Sequence, residues 1–249
     1  TAATQFSIQY DATLPTVAIT SGASDPTNTS PFSITVTFSE AMTGFALGDL
    51  TIGNGVASNL ATSNNIVFTA DITPTADGTV TVDIAGAVAT DAAGNGNTAA
   101  TQFSIQYDAT LPTVAITTGA SNPTGTSPFS ITITFSEAMT GFTLGDLTIG
   151  NGVASNLATS DNITFTANIT PSSIGLVTVD IESGVATDIA GNDNTAANQF
   201  SIIVNDAESS VIIIPATAEL CNGVSYSLLG DITIKEKTNT DFDIGDNVL

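Results

Sequence analysis

The sequence predicts an all-β chain: two tandem seven-stranded β-sandwiches, followed by the start of a β-domain of a different type. Three observations predict it. The hexapeptide Tyr10-Asp11-Ala12-Thr13-Leu14-Pro15 returns unchanged as Tyr107-Asp108-Ala109-Thr110-Leu111-Pro112, and the same shift of 97 residues (107 − 10) lays Glu40 on Glu137 and Asp91 on Asp188. A period of about 100 residues is the size of an independent domain, well above that of a solenoid coil. Inside each unit, short stretches alternate apolar and hydroxyl-bearing residues, the two-residue period of a strand with one buried face. Between them lie clusters of Gly, Ser, Asn, Asp and Pro, which is the chemistry of turns.

The boundaries follow from the period. Residues 1–10 match the end of a full repeat and read as the last strand of a preceding one; 11–107 and 108–204 are repeats one and two; 205–249 is an incomplete β-domain of another type. In repeat one, Pro15 to Ile19 is the first strand, and Ser21 to Pro31 is a loop dense in Gly, Ser, Asn and Pro. Phe32-Ser33-Ile34-Thr35-Val36-Thr37-Phe38 is the second strand, with Phe32, Ile34, Val36 and Phe38 inward. Glu40 to Gly44 breaks the alternation, Leu47 to Ile52 resumes it as a third strand, and Gly53-Asn54-Gly55 turns the chain into a weak fourth near Val56 to Ala61. After the Asn64-Asn65 turn, Ile66, Phe68, Ala70 and Ile72 face inward on the fifth strand, then Val80, Val82 and Ile84 on the sixth. Asp91 to Asn97 is a polar loop, and Phe103, Ile105 and Tyr107 point inward on the seventh. Seven short strands with such turns describe a sandwich.

Repeat two checks this assignment, because roughly four positions in five are identical and the remainder fall mostly on the solvent side. Val67 becomes Thr164 and Asp71 becomes Asn168, both outward, while the inward Val36 becomes Ile133. Strand parity has a further consequence. If strands run alternately up and down, the loops after the second, fourth and sixth gather at the end where the repeat begins, which brings Glu40 and Asp91 towards Asp11.

Composition limits the function. The 249 residues are 42% hydrophobic, enough for each repeat to bury its own core. Twenty-four acids against two bases and no His give a formal charge of −22, which repels nucleic acid and anionic membrane as partners. Both bases, Lys235 and Lys237, lie in the last segment, so solvent or bound metal must neutralise the acids of the repeats. The single Cys221 excludes an internal disulfide framework and reads as a small buried hydrophobe. No apolar run approaches the ~20 residues that span a bilayer and no positively charged leader precedes Thr1, so an export signal or anchor is expected outside this segment.

The stretches Phe38-Ser39-Glu40-Ala41-Met42-Thr43-Gly44-Phe45, Gly48-Asp49-Leu50, Asn54 to Asn59, Asp77-Gly78-Thr79-Val80 and Asp91-Ala92-Ala93-Gly94-Asn95 together resemble bacterial Ig-like repeats. The resemblance covers both complete repeats and implies Ig-like sandwiches in tandem within a giant secreted surface adhesin, extracellular and held on the bacterial cell surface. Repeat two departs at Pro171-Ser172-Ser173-Ile174-Gly175, where the acidic turn is lost, and this counts against a role for Asp77. Leu220-Cys221-Asn222-Gly223 and Gly230 to Ile234 resemble repeats in surface proteins of gliding, Bacteroidota-type bacteria.

The candidate chemistry is a metal site. Asp11, Glu40, Asp91 and Asn95, and equally Asp108, Glu137, Asp188 and Asn192, offer hard oxygen donors of the kind calcium takes six to eight of. The resemblance also implies calcium at such joints. A second reading stays open, in which the Asp91 loop is only a turn whose carboxylate caps backbone amides while Glu40 is solvated. Asp49 and Asp146 are more distant candidates. Catalysis is not expected: no His, Arg or Trp serves a paired-carboxylate glycosidase, no base activates a Ser nucleophile, and without Lys neither repeat can form an isopeptide. The patterns beginning at Asn28, Asn162 and Asn168 match N-glycosylation by a motif short enough to arise by chance. Two functions are left. One is a non-catalytic spacer that meets neighbouring repeats of its own chain and extends a distal binding region from the cell; the other is a direct glycan- or protein-binding module using loops at the sandwich ends. Aromatic residues fall mostly at core parity, which favours the spacer.

Overall fold

The structure is a computed structural model and describes residues 4–205. The β-domain expected over the following residues, with Cys221, Lys235 and Lys237, lies outside the described residues. Repeat one contains β1 (Val17–Ser21), β2 (Phe32–Phe38), β3 (Leu50–Gly53), β4 (Gly55–Thr62), β5 (Val67–Pro74), β6 (Gly78–Ile84) and β7 (Phe103–Tyr107). Repeat two contains β8 (Val114–Thr118), β9 (Phe129–Phe135), β10 (Leu147–Gly150), β11 (Gly152–Thr159), β12 (Thr164–Pro171), β13 (Gly175–Ile181) and β14 (Phe200–Val204). Each repeat is a sandwich of one four-stranded and one three-stranded antiparallel sheet: β1-β2-β5-β4 over β3-β6-β7, and β8-β9-β12-β11 over β10-β13-β14. Among the described residues no helix is long and apolar enough to cross a membrane.

The alternation of the sequence is the alternation of burial. On β2 the pattern runs buried at Phe32, Ile34, Val36 and Phe38, and β5 faces it in register, Ile34 opposite Ala70 and Val36 opposite Phe68. Val80, Val82, Ile84 and Ile105 close the core from the other sheet. Each such side chain taken fully from water contributes about 1.5–3 kcal/mol. Phe38, Phe45 and Phe68 meet edge to face, with centroids 5.0–5.8 Å apart, and Phe135, Phe142 and Phe165 repeat the arrangement.

Three local expectations change. The third strand begins at Leu50, because Leu47–Asp49 forms a single 3-10 turn closed by the Asp49 carboxylate, which accepts the Ala46 N–H at 2.8 Å. The first strand starts at Val17, since Pro15 has no N–H and that of Thr16 is donated to Ser39 Oγ at 3.0 Å. The expected weak fourth strand is a full eight residues, interrupted by a bulge between Ser58 and Ala61 where Asn59 takes a φ of 56°. Residues 4–10 form no strand, and Phe6, Ile8 and Tyr10 are 86%, 82% and 88% exposed. The identical Phe103, Ile105 and Tyr107 pair with Val82, Val80 and Gly78 of their own repeat, a partner the earlier copy does not have among the described residues.

Candidate metal site at the repeat joints

The loop that carries Glu40 leaves β2 and is fixed by the residues just after it. Met42 is buried, Phe45 packs on Phe38 and Phe68, and Thr43 exchanges backbone hydrogen bonds with Thr90 at 2.7 and 3.0 Å. This ties the β2 loop to the long loop after β6. That second loop is organised by Asn97, which is buried and satisfies all its polar atoms: Oδ1 accepts from Val88 and Ala89 N–H, and Nδ2 donates to the Ala85 and Thr98 carbonyls. Asn194 makes the same four bonds in repeat two. Thr98 and Thr195 then donate their N–H to the Pro15 and Pro112 carbonyls, each at 2.8 Å, which holds both loops against the joints.

The result is the gathering that strand parity predicts. Oxygens of Asp11, Glu40 and Asp91 lie within 4.8 Å of one another, as do those of Asp108, Glu137 and Asp188. Asp91 is only 4% exposed; its Oδ1 accepts from the Ala93 and Asn95 N–H groups at 2.9 and 2.8 Å, and its Oδ2 from Asn95 Nδ2 at 2.8 Å. The Asn95 side chain first, and then the backbone amides of Asn95, Ala93 and Gly94, hold the Asp91 carboxyl below its ordinary value against the opposing effect of burial. Asp188, 3% exposed, accepts from the Gly191 and Asn192 N–H groups at 2.7 and 2.8 Å and from Asn192 Nδ2 at 2.8 Å. Burial, and then the charges of Asp91 and Asp11, push the Glu40 carboxyl up; burial, Asp188 and Asp108 do the same to Glu137.

The bonds of the second reading are present, since Asp91 and Asp188 cap turns, and the carboxylate of each also lies near two others. Asn95 and Asn192 reach the group through nitrogen, each Nδ2 also donating to the joint carbonyl of Asp11 at 3.3 Å or Asp108 at 3.0 Å. Only their side-chain oxygens are left to offer an ion. An ion that bonds oxygens at about 2.3–2.6 Å holds opposed ligands about 5 Å apart, so three carboxylates at this spacing suit a hard divalent cation, with no Lys or Arg among the described residues to take its place. Asp49 and Asp146 stand apart from both groups; the Asp146 carboxylate caps its own 3-10 turn through Thr143.

Sequence reasoning set Asp77 aside, and the structure returns it to the joint. Its Oδ1 accepts the Ala109 N–H at 2.9 Å and its Oδ2 the Thr110 hydroxyl at 2.5 Å, so repeat one grips the first residues of repeat two. Asn28 lies against Gly191 on the same interface: a Cβ at Gly191, whose φ is +97°, would sit 3.4 Å from the Asn28 amide nitrogen. The available signal was that Asp77 belongs to the repeat followed by another Asp-Ala-Thr-Leu-Pro joint, and Ile174 to the one that is not.

Among solved structures the chain is similar to InvD of Yersinia pseudotuberculosis, at 16% identity over 78% of this chain and 58% of that one, TM-score 0.36. It is similar to invasin, a bacterial integrin-binding protein, at 12% identity over 76% of this chain and 40% of that one, TM-score 0.40. A third is SGBP-B of the Bacteroides ovatus mixed-linkage glucan utilization locus, solved with a mixed-linkage heptasaccharide, at 15% identity over 76% of this chain and 46% of that one, TM-score 0.24. The chain thus spans about half the length of these structures. No curated protein matches it in sequence. The profile of the bacterial Ig-like domain matches residues 11–107 and again 108–204, the two repeats found by their period, and the chain belongs to that family.

Proposed function

We propose that this chain is a non-catalytic stalk segment of a large adhesin on the bacterial cell surface, and that calcium at its joints stiffens it. The observation that carries the reading is the position of each acidic triad, at the pole where its repeat begins and directly against the linker that precedes it. The linker between the repeats is bonded from both sides, by Asp77 of repeat one and by Asn192 and Thr195 of repeat two. Without a cation, Asp108, Glu137 and Asp188 repel one another across that seam. A divalent ion turns the repulsion into coordination, restricts bending, and adds stability of RT ln(1 + [L]/Kd). Near-millimolar affinity, the range of extracellular calcium modules, confines the effect to the outside of the cell. The partners on this reading are the neighbouring repeats, with the ligand bound by a distal region, and the resemblance of the last residues to surface proteins of gliding Bacteroidota-type bacteria suggests the setting.

Small-angle scattering and melting of the chain in calcium and in chelator test the proposal. The expected result is a larger maximum dimension and a higher Tm with calcium, both lost in Asp108→Ala with Asp188→Ala. If neither quantity responds, or if the response survives the double substitution, packing and proline alone hold the joint. Imaging of a longer tandem array tests the stalk itself: a thin beaded fibre supports it, and a compact particle does not.

A further inference from the structure

At the far pole of repeat two, three neighbouring positions change character together. Asp77, Thr79 and Gln106 of repeat one are replaced, 97 residues on, by Ile174, Leu176 and Ile203. In repeat one these positions are polar and bonded: Thr79 Oγ1 donates to Gln106 Oε1 at 3.0 Å across the β6–β7 pair, and Asp77 holds Ala109 and Thr110 of the next repeat. In repeat two Leu176 stands opposite Ile203 on β13 and β14, and Ile174 lies in the turn that leads into β13, just before Gly175. The three are 64%, 56% and 50% exposed. Farther along the same outer face the residues return to Thr178, Asp180, Gln199 and Ser201, so the apolar patch is confined to the pole.

This pole is the one by which a repeat meets its successor. Asn28 and Asp77, which make that contact for repeat one, are Gly125 and Ile174 in repeat two, and the proline-containing linker is absent: Val204 is followed by Asn205-Asp206-Ala207-Glu208-Ser209. The successor is different too, since residues 206–249 do not continue the repeat and contain the apolar run Val211-Ile212-Ile213-Ile214-Pro215. The chain leaves the described residues beside the patch, because the Asn205 N–H is donated to the Thr124 carbonyl at 2.9 Å and the Thr124 N–H to that of Ile203 at 2.9 Å. We propose that Ile174, Leu176 and Ile203 are the docking surface for the chain's own residues 206–249. The polar joint that serves between two identical repeats is replaced by an apolar one where the repeat array meets a domain of another kind. A segment that begins three residues after Ile203 has an effective concentration that a second copy does not match.

The single Cys221 lies within the proposed occupant and allows a direct test on the whole chain. With a nitroxide on Cys221, the methyl signals of Ile174, Leu176 and Ile203 are expected to broaden, and those of Val56 and Val67 in repeat one to stay sharp. Restoring the residues of repeat one, Ile174→Asp with Leu176→Thr and Ile203→Gln, is expected to abolish the broadening while the core methyl pattern of repeat two persists. A label-free check is limited proteolysis, in which the triple variant is cut faster within 206–249. Absence of selective broadening, broadening that survives the triple substitution, an unchanged cleavage rate, or broadening that grows with protein concentration, which would make a second copy the occupant, each overturns the proposal.

Discussion

Asp77 of repeat one accepts the hydroxyl hydrogen of Thr110, 33 residues later in the linker, at 2.5 Å, and so joins the turn between β5 and β6 to the start of the next domain. Asp77 is exposed at the surface, and the Thr110 hydrogen bond, followed by that of the Ala109 N–H, holds its carboxyl below the ordinary aspartate value of 3.8. A side chain with no part in any core thereby fixes how one domain follows another.

A lowered folded pKa means that the Asp77 contribution to the joint is complete above 3.8 and is lost as pH falls through the lower folded value. The Ala109 amide proton is expected to shift with pH at a midpoint below 3.8, and Asp77→Asn to remove the transition. A midpoint at or above the ordinary value would show that the bonds do not form in solution.

Phe135 is 2% exposed and meets Phe142 and Phe165 at 5.1 and 5.8 Å, whereas Thr134, its neighbour, faces solvent. Phe135→Ala is expected to cost about 3–5 kcal/mol and Thr134→Ala close to nothing. Denaturant melts of the two variants decide it, and equal losses would mean that the burial of β9 is assigned to the wrong face.

Glu137 has its carboxyl pushed up by burial and by the charges of Asp188 and Asp108, so its ionisation works against the fold. That cost is present above the raised folded value and is relieved as pH falls towards 4.5. In chelator at neutral pH, Glu137→Gln is therefore expected to raise Tm; in calcium it is expected to gain less than the parent chain does. Calorimetry in the two buffers checks this. A variant that loses the same Tm in both has only lost packing.

The two repeats differ informatively at one further turn. Asp161 Oδ1 accepts from the Thr164 and Ile163 N–H groups at 2.8 and 2.9 Å, and Asn64 Oδ1 makes the same pair of bonds in repeat one, to Val67 and Ile66. Those two amides, Thr164 first, hold the Asp161 carboxyl below 3.8, so its stabilisation is present above that value and is lost as pH falls through the folded one. Asp161→Asn is expected to lower the stability of repeat two at neutral pH and to leave it unchanged in strong acid. Equal losses at both pH values would count against a charged acceptor in this turn.

The period, the seven strands of each repeat and the face that each strand buries are legible in the order of residues alone, because a two-residue alternation is a local property that any pairing must respect. So is the set of loops that share a pole, since antiparallel strands can only alternate, and that sufficed to bring Asp11, Glu40 and Asp91 together. Contacts between remote groups belong to the tertiary structure. It assigned Asp77 to Thr110 and Asn97 to the backbone of Ala85, Val88 and Ala89, bonds between positions that no local period relates. It left Phe6, Ile8 and Tyr10 exposed and unpaired while the same residues at Phe103, Ile105 and Tyr107 form β7, because a strand exists only where a neighbouring edge supplies its hydrogen bonds. The three apolar substitutions at the end of repeat two were visible as letters; that Leu176 and Ile203 stand side by side, with Ile174 in the turn before them, at the pole where the next segment departs, is a fact of the fold.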